Sequence, residues 1–357
     1  MEFSAQQLSE LLEGTLEGNP DVKVNTLSKI DEDVPHSVSF LYNPDYATYL
    51  YTTQSAVVIV NNSFTPDRKL PKQLTLIRVE DARMSFGKLL EAYKQFKSAE
   101  KKGIHPTAVI EESAQIGENV YIGALAYIGH QAKVGDNCKI EPHTYIGDQV
   151  TVGANCFFHN QVTVNEECII GDDCIIQSGA VIGGDGFGFQ PNSENNYTKL
   201  IHIGNVILED HVEIGANTTI DRATMGSTII RKGVKLDNLI QIGHNVEIGE
   251  NTVIASQTGV AGSTYIGKNC MIGGQVGFAG HQRIADGTKI AAKSGIPKDI
   301  KQENGIFQGT PIMPIGDFQR SYVYFRKLPQ LNKEVSELKK ELNELRKQQP
   351  NSESNGR

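Results

Sequence analysis

The 357-residue sequence contains no tryptophan, only five cysteines and no excess of basic residues, since its formal net charge is −8. Binding to nucleic acid by phosphate neutralisation requires a basic surface, so a general nucleic-acid-binding protein is excluded. The cysteines are odd in number and include no CxxC pair, which argues against a disulfide framework and a zinc site. Apolar runs of about 18 residues and the basic and apolar regions of a secretory signal are also missing. We therefore expect a cytoplasmic protein without an integral membrane segment.

The middle of the chain carries an apolar residue at every sixth position. Neither a helix nor an alternating strand has this period. The register is interrupted once and later slips by four residues before it holds again. The first run comprises Ile104, Ile110, Ile116, Ile122, Ile128, Val134, Ile140, Ile146, Val152, Phe158, Val164, Ile170, Ile176 and Ile182. The later positions are Leu208, Ile214 and Ile220, and then Ile230, Leu236, Ile242, Ile248, Ile254, Val260, Ile266, Ile272, Phe278, Ile284, Ile290 and Ile296.

This period predicts a parallel β-helix over residues 104–310, with three short sides in each coil. The apolar residue of each hexapeptide points inwards and stacks on its equivalent in the next coil. Each buried Ile or Val contributes roughly 1.5–3 kcal/mol relative to exposure, and no coil can bury its own face alone. Glycine often follows the apolar residue and asparagine lies two positions further on, as at Gly117 and Asn119. We expect both to provide left-handed backbone angles at the corners.

The fifth position of the hexapeptide holds small residues, and every cysteine falls on it. We therefore interpret the cysteines as small core residues without a reactive or metal-binding role. They are Cys138, Cys156, Cys168, Cys174 and Cys270.

Residues 1–100 lack the hexapeptide and predict a small α/β domain. Ser4 is a helix cap, strand-like runs occupy Val38–Leu41, Val57–Val60 and Leu74–Val79, and a helical pattern runs from about Ala82 to Phe96.

A heptad pattern follows Pro311 and predicts C-terminal helices over residues 316–347, with a disordered tail at 348–357. Three-sided prisms pack around a threefold axis, and the heptads add a second self-complementary surface, so we expect a homotrimer. The seam comprises Leu328, Leu331, Val335, Leu338, Leu342 and Leu345.

Two breaks interrupt the prism, and solenoids usually carry function at such breaks. The first begins at Gly183–Phe189 and continues as a polar loop to about Thr198. No helical pattern follows its glycines, so a dinucleotide fingerprint is excluded and an extruded loop is predicted. Direct contact of this loop with a ligand stays open. The second break is the slip between Ile220 and Ile230.

Two histidines, His130 and His244, occupy the same third position of a hexapeptide. Spacing alone cannot rank them, but His244 follows the register slip and comes shortly after Asp237 and Asn238.

Gly262 lies one coil above His244, and His281 lies two coils and one residue beyond it. A base, a backbone N–H above it and a second histidine are suitable parts for acyl transfer.

At these motifs the sequence resembles the UDP-3-O-(3-hydroxyacyl)glucosamine N-acyltransferases, which are left-handed parallel β-helix proteins. The resemblance covers nearly the whole chain, because the order of α/β domain, prism and C-terminal helices also matches. The motifs are Gly184–Gly188, Thr219–Arg222, Gln241–Gly249, Ala261–Ser263 and Gly280–His281.

The resemblance implies that the N-terminal domain binds the uracil of a sugar nucleotide. Phe40 and Tyr46 would sandwich the base, and Asn43 would hydrogen-bond its edge. Relatives often carry lysine where this chain has Asp45, so a diphosphate contact from this position is in doubt. Without the resemblance, Phe40 is a core residue beside a turn.

The resemblance also implies catalytic roles. His244 would be the general base for the sugar 2-amino group, which attacks a 3-hydroxyacyl thioester on acyl carrier protein. Gly262 N–H would stabilise the oxyanion, Asp237 and Asn238 would organise the site, and His281 would contact substrate. A thioester is already activated, so neither a metal nor an organic cofactor is expected.

Three alternatives belong to other classes. An O-acyltransferase of the same superfamily shares the prism but usually lacks the front domain. A β-helical carbonic anhydrase needs three histidine ligands, and beside His244 and His281 no convincing third is found. A scaffold or adhesin requires neither the register breaks nor the Phe–Asn–Tyr motif.

Overall fold

The computed structural model describes residues 2–32, 34–98, 101–194 and 196–348. Contacts within the chain separate two units, Met1–Lys101 and Lys102–Arg357. The fold class predicted from the hexapeptide is confirmed: the protein is mainly β, with a parallel β-helix, a small α/β unit before it and helices after it.

The N-terminal unit is a five-stranded sheet with two α-helices and a 3-10 helix. The helices are Ala5–Leu11, Pro44–Tyr51 (3-10) and Ala82–Ser98. The sheet order is Thr15–Glu17, Thr75–Val79, Val57–Asn61, Ser37–Leu41 and Thr26–Leu27, and Phe3–Ser4 pairs separately with Lys23–Val24. Four of the five strands are parallel, and only Thr15–Glu17 is antiparallel to its neighbour. Val57–Val60 is fully buried, as expected of a central parallel strand that is covered on both faces.

The predicted cap at Ser4 is confirmed and forms a complete capping box. The Ser4 side chain accepts a hydrogen bond from the Gln7 backbone N–H, and the Gln7 side chain accepts one from the Ser4 backbone N–H. Two backbone N–H groups that the helix cannot pair internally are therefore satisfied.

The β-helix has three sheets, here named faces A, B and C. Face A contains Gly103–Ile104, Tyr121–Ile122, Lys139–Ile140, Phe157–Phe158, Ile175–Ile176, Glu213–Ile214, Lys235–Leu236, Val253–Ile254, Met271–Ile272, Lys289–Ile290, Ile306–Gln308 and the antiparallel Met313–Pro314. Face B contains Val109–Ile110, Tyr127–Ile128, Tyr145–Ile146, Thr163–Val164, Val181–Gly184, Thr219–Asp221, Gln241–Ile242, Gly259–Val260, Gly277–Phe278 and Gly295–Ile296. Face C contains Gln115–Ile116, Lys133–Val134, Thr151–Val152, Ile169–Ile170, Asn205–Leu208, Ser227–Ile230, Glu247–Ile248, Tyr265–Ile266 and Arg283–Ile284.

The predicted inward residues form one continuous hydrophobic core from Val120 to Phe307. Ile104 lies in the first coil and is exposed, whereas Ile122, one coil further on, is completely buried. The five cysteines are buried and unpaired, which confirms their interpretation as core residues. Burial raises the pKa of the Cys168 thiol to about 11, so this side chain is a neutral thiol near neutral pH.

The corners correct one expectation about glycine. Asn119 has a φ of 56°, and the residue at its position has a left-handed φ in most hexapeptides. Gly117 does not share this conformation. Gly117 instead allows neighbouring coils to approach each other closely, because a Cβ at Gly117 would lie 2.8 Å from the backbone nitrogen of Asp136 in the next coil. The asparagine therefore makes the turn, and the glycine lets the coils stack.

The first break is an extruded loop, as predicted. It contains the hairpin of Phe189–Pro191 with Tyr197–Lys199. Two apolar side chains on either side of the polar stretch, Phe187 and Ile201, are 85% and 76% exposed. The second break is the short loop between Thr219–Asp221 and Ser227–Ile230.

The C-terminal helices are Ile315–Phe325 and Leu328–Gln348. The heptad seam lies on the second helix, where Val335, Leu338, Leu342 and Leu345 are exposed within this chain. Most of the predicted disordered tail, residues 349–357, lies outside the described residues. None of the described helices combines the length and apolar character needed to cross a membrane.

The stack makes a prediction about stability that one strand can test. Ile170 is 1% exposed and Ile169, beside it, is 41% exposed. We expect Ile170→Ala to lower the free energy of unfolding by about 2–5 kcal/mol, because it leaves a cavity between coils. Ile169→Ala should change it by less than about 0.5 kcal/mol. Urea titrations of the two variants compare them directly, and equal losses would contradict the inward orientation.

Candidate active site

A recurring hydrogen bond closes six corners of the prism among the described residues. The backbone N–H at the third hexapeptide position donates to an Asp or Asn side chain at the same position of the next coil. His130 N–H donates to Asp148 Oδ1 at 2.8 Å, and Lys268 N–H donates to Asp286 Oδ1 at 3.0 Å. Each such bond satisfies a donor that the turn leaves unpaired.

The corner between faces B and C lacks this cap in the coils that carry His244, as it does in several earlier coils of the described chain. His244, Gly262 and Gly280 occupy the third position in three successive coils, and the glycines have no side chain to accept the bond. Within the described part of the chain, none of these three backbone N–H groups donates a hydrogen bond. This column therefore presents unpaired donors beside an imidazole.

Gly262 lies directly over the ring of His244. A Cβ at Gly262 would lie 2.6 Å from Nε2 and 2.8 Å from Cε1 of His244. Any side chain at residue 262 would displace the imidazole. Glycine therefore has two effects here: it leaves room for the ring, and it supplies no side chain to cap the His244 N–H.

Asn245 determines which nitrogen of His244 carries a proton. Its Nδ2 donates to the Met225 carbonyl at 2.9 Å, and its Oδ1 accepts from the Thr224 N–H at 3.0 Å, which fixes the orientation of the amide. Nδ1 of His244 lies 3.2 Å from the same Oδ1. Because that oxygen only accepts, Nδ1 of neutral His244 donates and Nε2 keeps a free lone pair.

His244 and Gly262 line an open groove that the extruded loop borders. Apolar side chains of Phe187, Phe189, Val260 and Phe278 line it together with the polar side chains of Asp185, Lys199, Asp221, Gln241 and His244. A groove of mixed character can accommodate an acyl chain and a sugar.

The carboxylates of the groove differ in environment. Burial raises the pKa of Asp221, and a hydrogen bond from Gln241 partly offsets this effect. A hydrogen bond from Lys199 lowers the pKa of Asp185, and the two residues form an ion pair. The groove therefore combines a paired carboxylate with a partly buried one.

Arg222 holds the base of the extruded loop. Its Nε donates to the Gly183 carbonyl at 2.8 Å, and its guanidinium forms an ion pair with Glu166 at 2.9 Å. Arg222 is almost fully buried. A buried guanidinium with these partners fixes the point at which the chain leaves the prism.

The other predicted site residues of the β-helix do not all lie at the corner of His244. His281 is exposed at the corner above Gly262, and its backbone N–H donates to the Gly262 carbonyl at 3.1 Å. Asp237 and Asn238 lie at the corner between faces A and B, not at the corner of His244. Asp237 Oδ2 accepts from the Ser256 N–H at 3.1 Å, and Asn238 Oδ1 accepts from the Ala216 N–H at 2.7 Å.

The predicted uracil-binding residues lie in the N-terminal unit. Phe40 stacks on Phe86 with a centroid distance of 4.1 Å and on Tyr42 at 5.6 Å. Asn43 caps the 3-10 helix by accepting from the Asp45 N–H at 3.1 Å. Tyr46 is 45% exposed. Phe40 is thus half-buried against aromatic partners, while Tyr46 presents a partly exposed ring whose centroid is 6.0 Å from that of Tyr49.

The sequence analysis assigned no role to three residues that contact or border His244: Asn245, Asp221 and His202. Asn245 was visible as the neighbour of His244, but its contacts depend on the short loop that forms the register slip. His202 lies outside the hexapeptide pattern, and its ring centroid is 5.2 Å from that of His244. Only the folded loop brings it there.

Two family models match the chain. The model of UDP-3-O-(3-hydroxymyristoyl) glucosamine N-acyltransferase, LpxD, matches residues 21–92, and the bacterial transferase hexapeptide model matches residues 113–148, 149–184 and 227–262. The UDP-3-O-acylglucosamine N-acyltransferase of Christiangramia forsetii is 54% identical over 343 residues, covering 94% of this chain and 99% of the relative. That of Bacteroides thetaiotaomicron is 52% identical over 335 residues, covering 94% and 95%.

Among solved structures, the UDP-N-acetylglucosamine acyltransferase of Arabidopsis superposes with a TM-score of 0.54 at 22% identity, covering 59% of this chain and 73% of the other. This similarity concerns the fold alone, which is a left-handed parallel β-helix.

The prism, its uncapped histidine corner and these matches together define a hexapeptide-repeat acyltransferase. More narrowly, the chain belongs to the UDP-3-O-acylglucosamine N-acyltransferase family. It is therefore an N-acyltransferase and not the O-acyltransferase that the prism alone left open.

The packing of Gly262 on His244 gives a test of the site. We expect Gly262→Ala to lower turnover by roughly 10²-fold, because the added methyl group pushes the His244 imidazole out of its position. Gly277→Ala is the matched control, since a Cβ there has no neighbour within 4 Å. Steady-state kinetics and melting curves of both variants check this. A fully active Gly262→Ala variant would contradict the assigned contact.

Proposed function

We propose that the protein transfers a 3-hydroxyacyl chain from acyl carrier protein to the 2-amino group of UDP-3-O-(3-hydroxyacyl)-glucosamine, in lipid A assembly in the cytoplasm. The observation that carries this proposal is the uncapped column at His244, Gly262 and Gly280, in a chain that belongs to the family. It offers a free imidazole lone pair next to free backbone donors.

In the first step, Nε2 of His244 takes a proton from the 2-amino group as the amine nitrogen attacks the thioester carbonyl carbon. The C–N bond forms and the carbonyl oxygen becomes an oxyanion. The unpaired N–H of Gly262 is the donor proposed for that oxygen, since a preorganised donor stabilises charge that develops in the transition state. Asn245 supports the base, because it keeps the proton of neutral His244 on Nδ1.

In the second step, the tetrahedral intermediate collapses and the C–S bond breaks. The departing sulfur takes the proton from Nε2 of His244, which restores the neutral base. The products are an amide and the free thiol of the carrier protein. The thioester supplies the activation, so these steps use neither a metal nor an organic cofactor.

The N-terminal unit is the proposed site for the uracil. The exposed ring of Tyr46 is available for stacking. Phe40 already stacks on Phe86 and on Tyr42, so it would offer a base the part of its ring that these two partners leave exposed. Asn43 Oδ1 accepts a backbone N–H as a cap, which leaves the amide nitrogen as the group for the edge of the base.

Substrate contact by His281 and site organisation by Asp237 and Asn238 stay predictions. For His281, the support is its corner position one coil above Gly262. For Asp237 and Asn238, the support is a structural one, since their oxygens cap backbone N–H groups on either side of their corner. The homotrimer also stays a prediction, with the exposed heptad seam as its support.

The two histidines at equivalent positions provide a controlled test. We expect His244→Ala to lower turnover by roughly 10²–10⁴-fold, the range for a positioned acid–base group. His130→Ala should stay within a few-fold of the parent, because the His130 corner is capped by Asp148 and its Nδ1 lies 2.7 Å from Ser113 Oγ. The assay measures transfer from 3-hydroxyacyl carrier protein to UDP-3-O-acylglucosamine.

Both histidines occupy corners of the same type, so melting curves should show little change in either variant. Equal losses of activity in the two variants would defeat the assignment of the base. A fully active His244→Ala variant would end the proposed mechanism.

A further inference from the structure

His202 is a buried histidine that the reaction steps above do not use. It lies where the chain returns from the extruded loop to the face C strand Asn205–Leu208. The residue is 4% exposed. Its Nε2 is buried and has no hydrogen-bond partner among the described residues. A buried polar atom without a partner is uncommon and often marks a functional constraint.

The protonation of His202 follows from its one polar contact. Nδ1 lies 3.1 Å from the Leu200 carbonyl oxygen. Since a carbonyl oxygen only accepts, Nδ1 carries the proton of the neutral ring, and Nε2 is a bare acceptor. The ring dipole therefore has its negative end at Nε2.

Gly186 and Gly188 of the extruded loop pack closely against the His202 ring. A Cβ at Gly188 would lie 2.8 Å from Cε1 of His202. A Cβ at Gly186 would lie 2.8 Å from Nε2 of His202 and also 2.9 Å from Cβ of His244. The bare nitrogen is thus on the side of its ring where the loop meets His244, and the glycines let the loop close there.

The two imidazoles pack directly on each other. Their centroids are 5.2 Å apart and their planes are inclined by 61°, an edge-to-face arrangement. His244 is therefore enclosed by Gly262 on one side and by His202 with Gly186 on the other. Asn245 holds Nδ1 of His244, and the packing of Gly262 and His202 restricts the rest of the ring.

We propose that His202 is a positioning residue for His244. Its ring holds the base edge to face, and its Nε2 presents the negative end of the ring dipole to the imidazolium that forms when His244 takes the proton. The inference rests on the proposed function, because it needs His244 to be the base. It names a residue for the same reaction and not a second activity.

Three substitutions separate shape from the acceptor atom. His202→Phe keeps a planar ring and loses both nitrogens. The amide of His202→Gln reaches the position of Nε2, whereas the amide of His202→Asn reaches only that of Nδ1. We expect His202→Phe to lower kcat by about 10–100-fold, with both KM values within about 3-fold of the parent. His202→Gln should recover most of the lost turnover, and His202→Asn should not.

A double variant shows whether His202 acts through the base. In the His244→Ala background, His202→Phe should cause no further loss of the residual rate, since the group that it positions is gone. Melting curves of all variants report separately on the fold.

Several results would overturn the inference. One is full turnover in His202→Phe while His244→Ala is inactive, which refutes this inference and leaves the proposed function intact. Others are equal losses in the Phe and Gln variants, or an undiminished effect in the His244→Ala background. A fully active His244→Ala variant would refute the proposed base and this inference together.

Discussion

The stacking of one coil on the next is the interaction on which the rest of the prism depends. Inward residues such as Ile170 are buried only because a neighbouring coil covers them. Backbone hydrogen bonds between equivalent strands then fix the register, and side-chain caps such as Asp148 on the His130 N–H close the corners. A residue's height and face are therefore set by its number along the chain, which gives the surface a regular supply of equivalent corners.

The candidate active site lies at corners of this series that carry no side-chain cap. At six corners among the described residues a carboxylate or amide oxygen accepts the third-position N–H, and at the column of His244, Gly262 and Gly280 none does. Gly262, which has no side chain to cap the His244 N–H, also makes room for the imidazole. A single glycine thus provides both the space for the His244 ring and a free backbone donor beside it. The two register breaks supply the remaining walls, through Asn245 held by the short loop and His202 held by the long one.

The fold was predictable because the apolar residues from Ile104 to Ile296 recur at every sixth position. This spacing predicts both the three faces and the core. The candidate site was predictable only in part. The stacking of Gly262 over His244 follows from periodicity, but closeness along the chain also suggested that Asp237 was near His244, and it lies at another corner. His202 could not be found, because the loop that carries it has no repeat and its closure depends on tertiary contacts. The corner glycines were assigned to left-handed turns, whereas Gly117 is needed for contact between coils.

His244 is therefore held in two ways: by contacts between stacked coils and by contacts with the two loops. The central claim is that the missing cap leaves the Gly262 N–H free to bind the acyl carbonyl oxygen. A crystal structure of the protein with its N-acylated product tests this claim most directly. The account predicts that the new amide carbonyl oxygen lies about 2.7–3.1 Å from the Gly262 nitrogen, with the amide nitrogen next to Nε2 of His244. A product amide bound at another corner, with the Gly262 N–H paired to some other group, would contradict it.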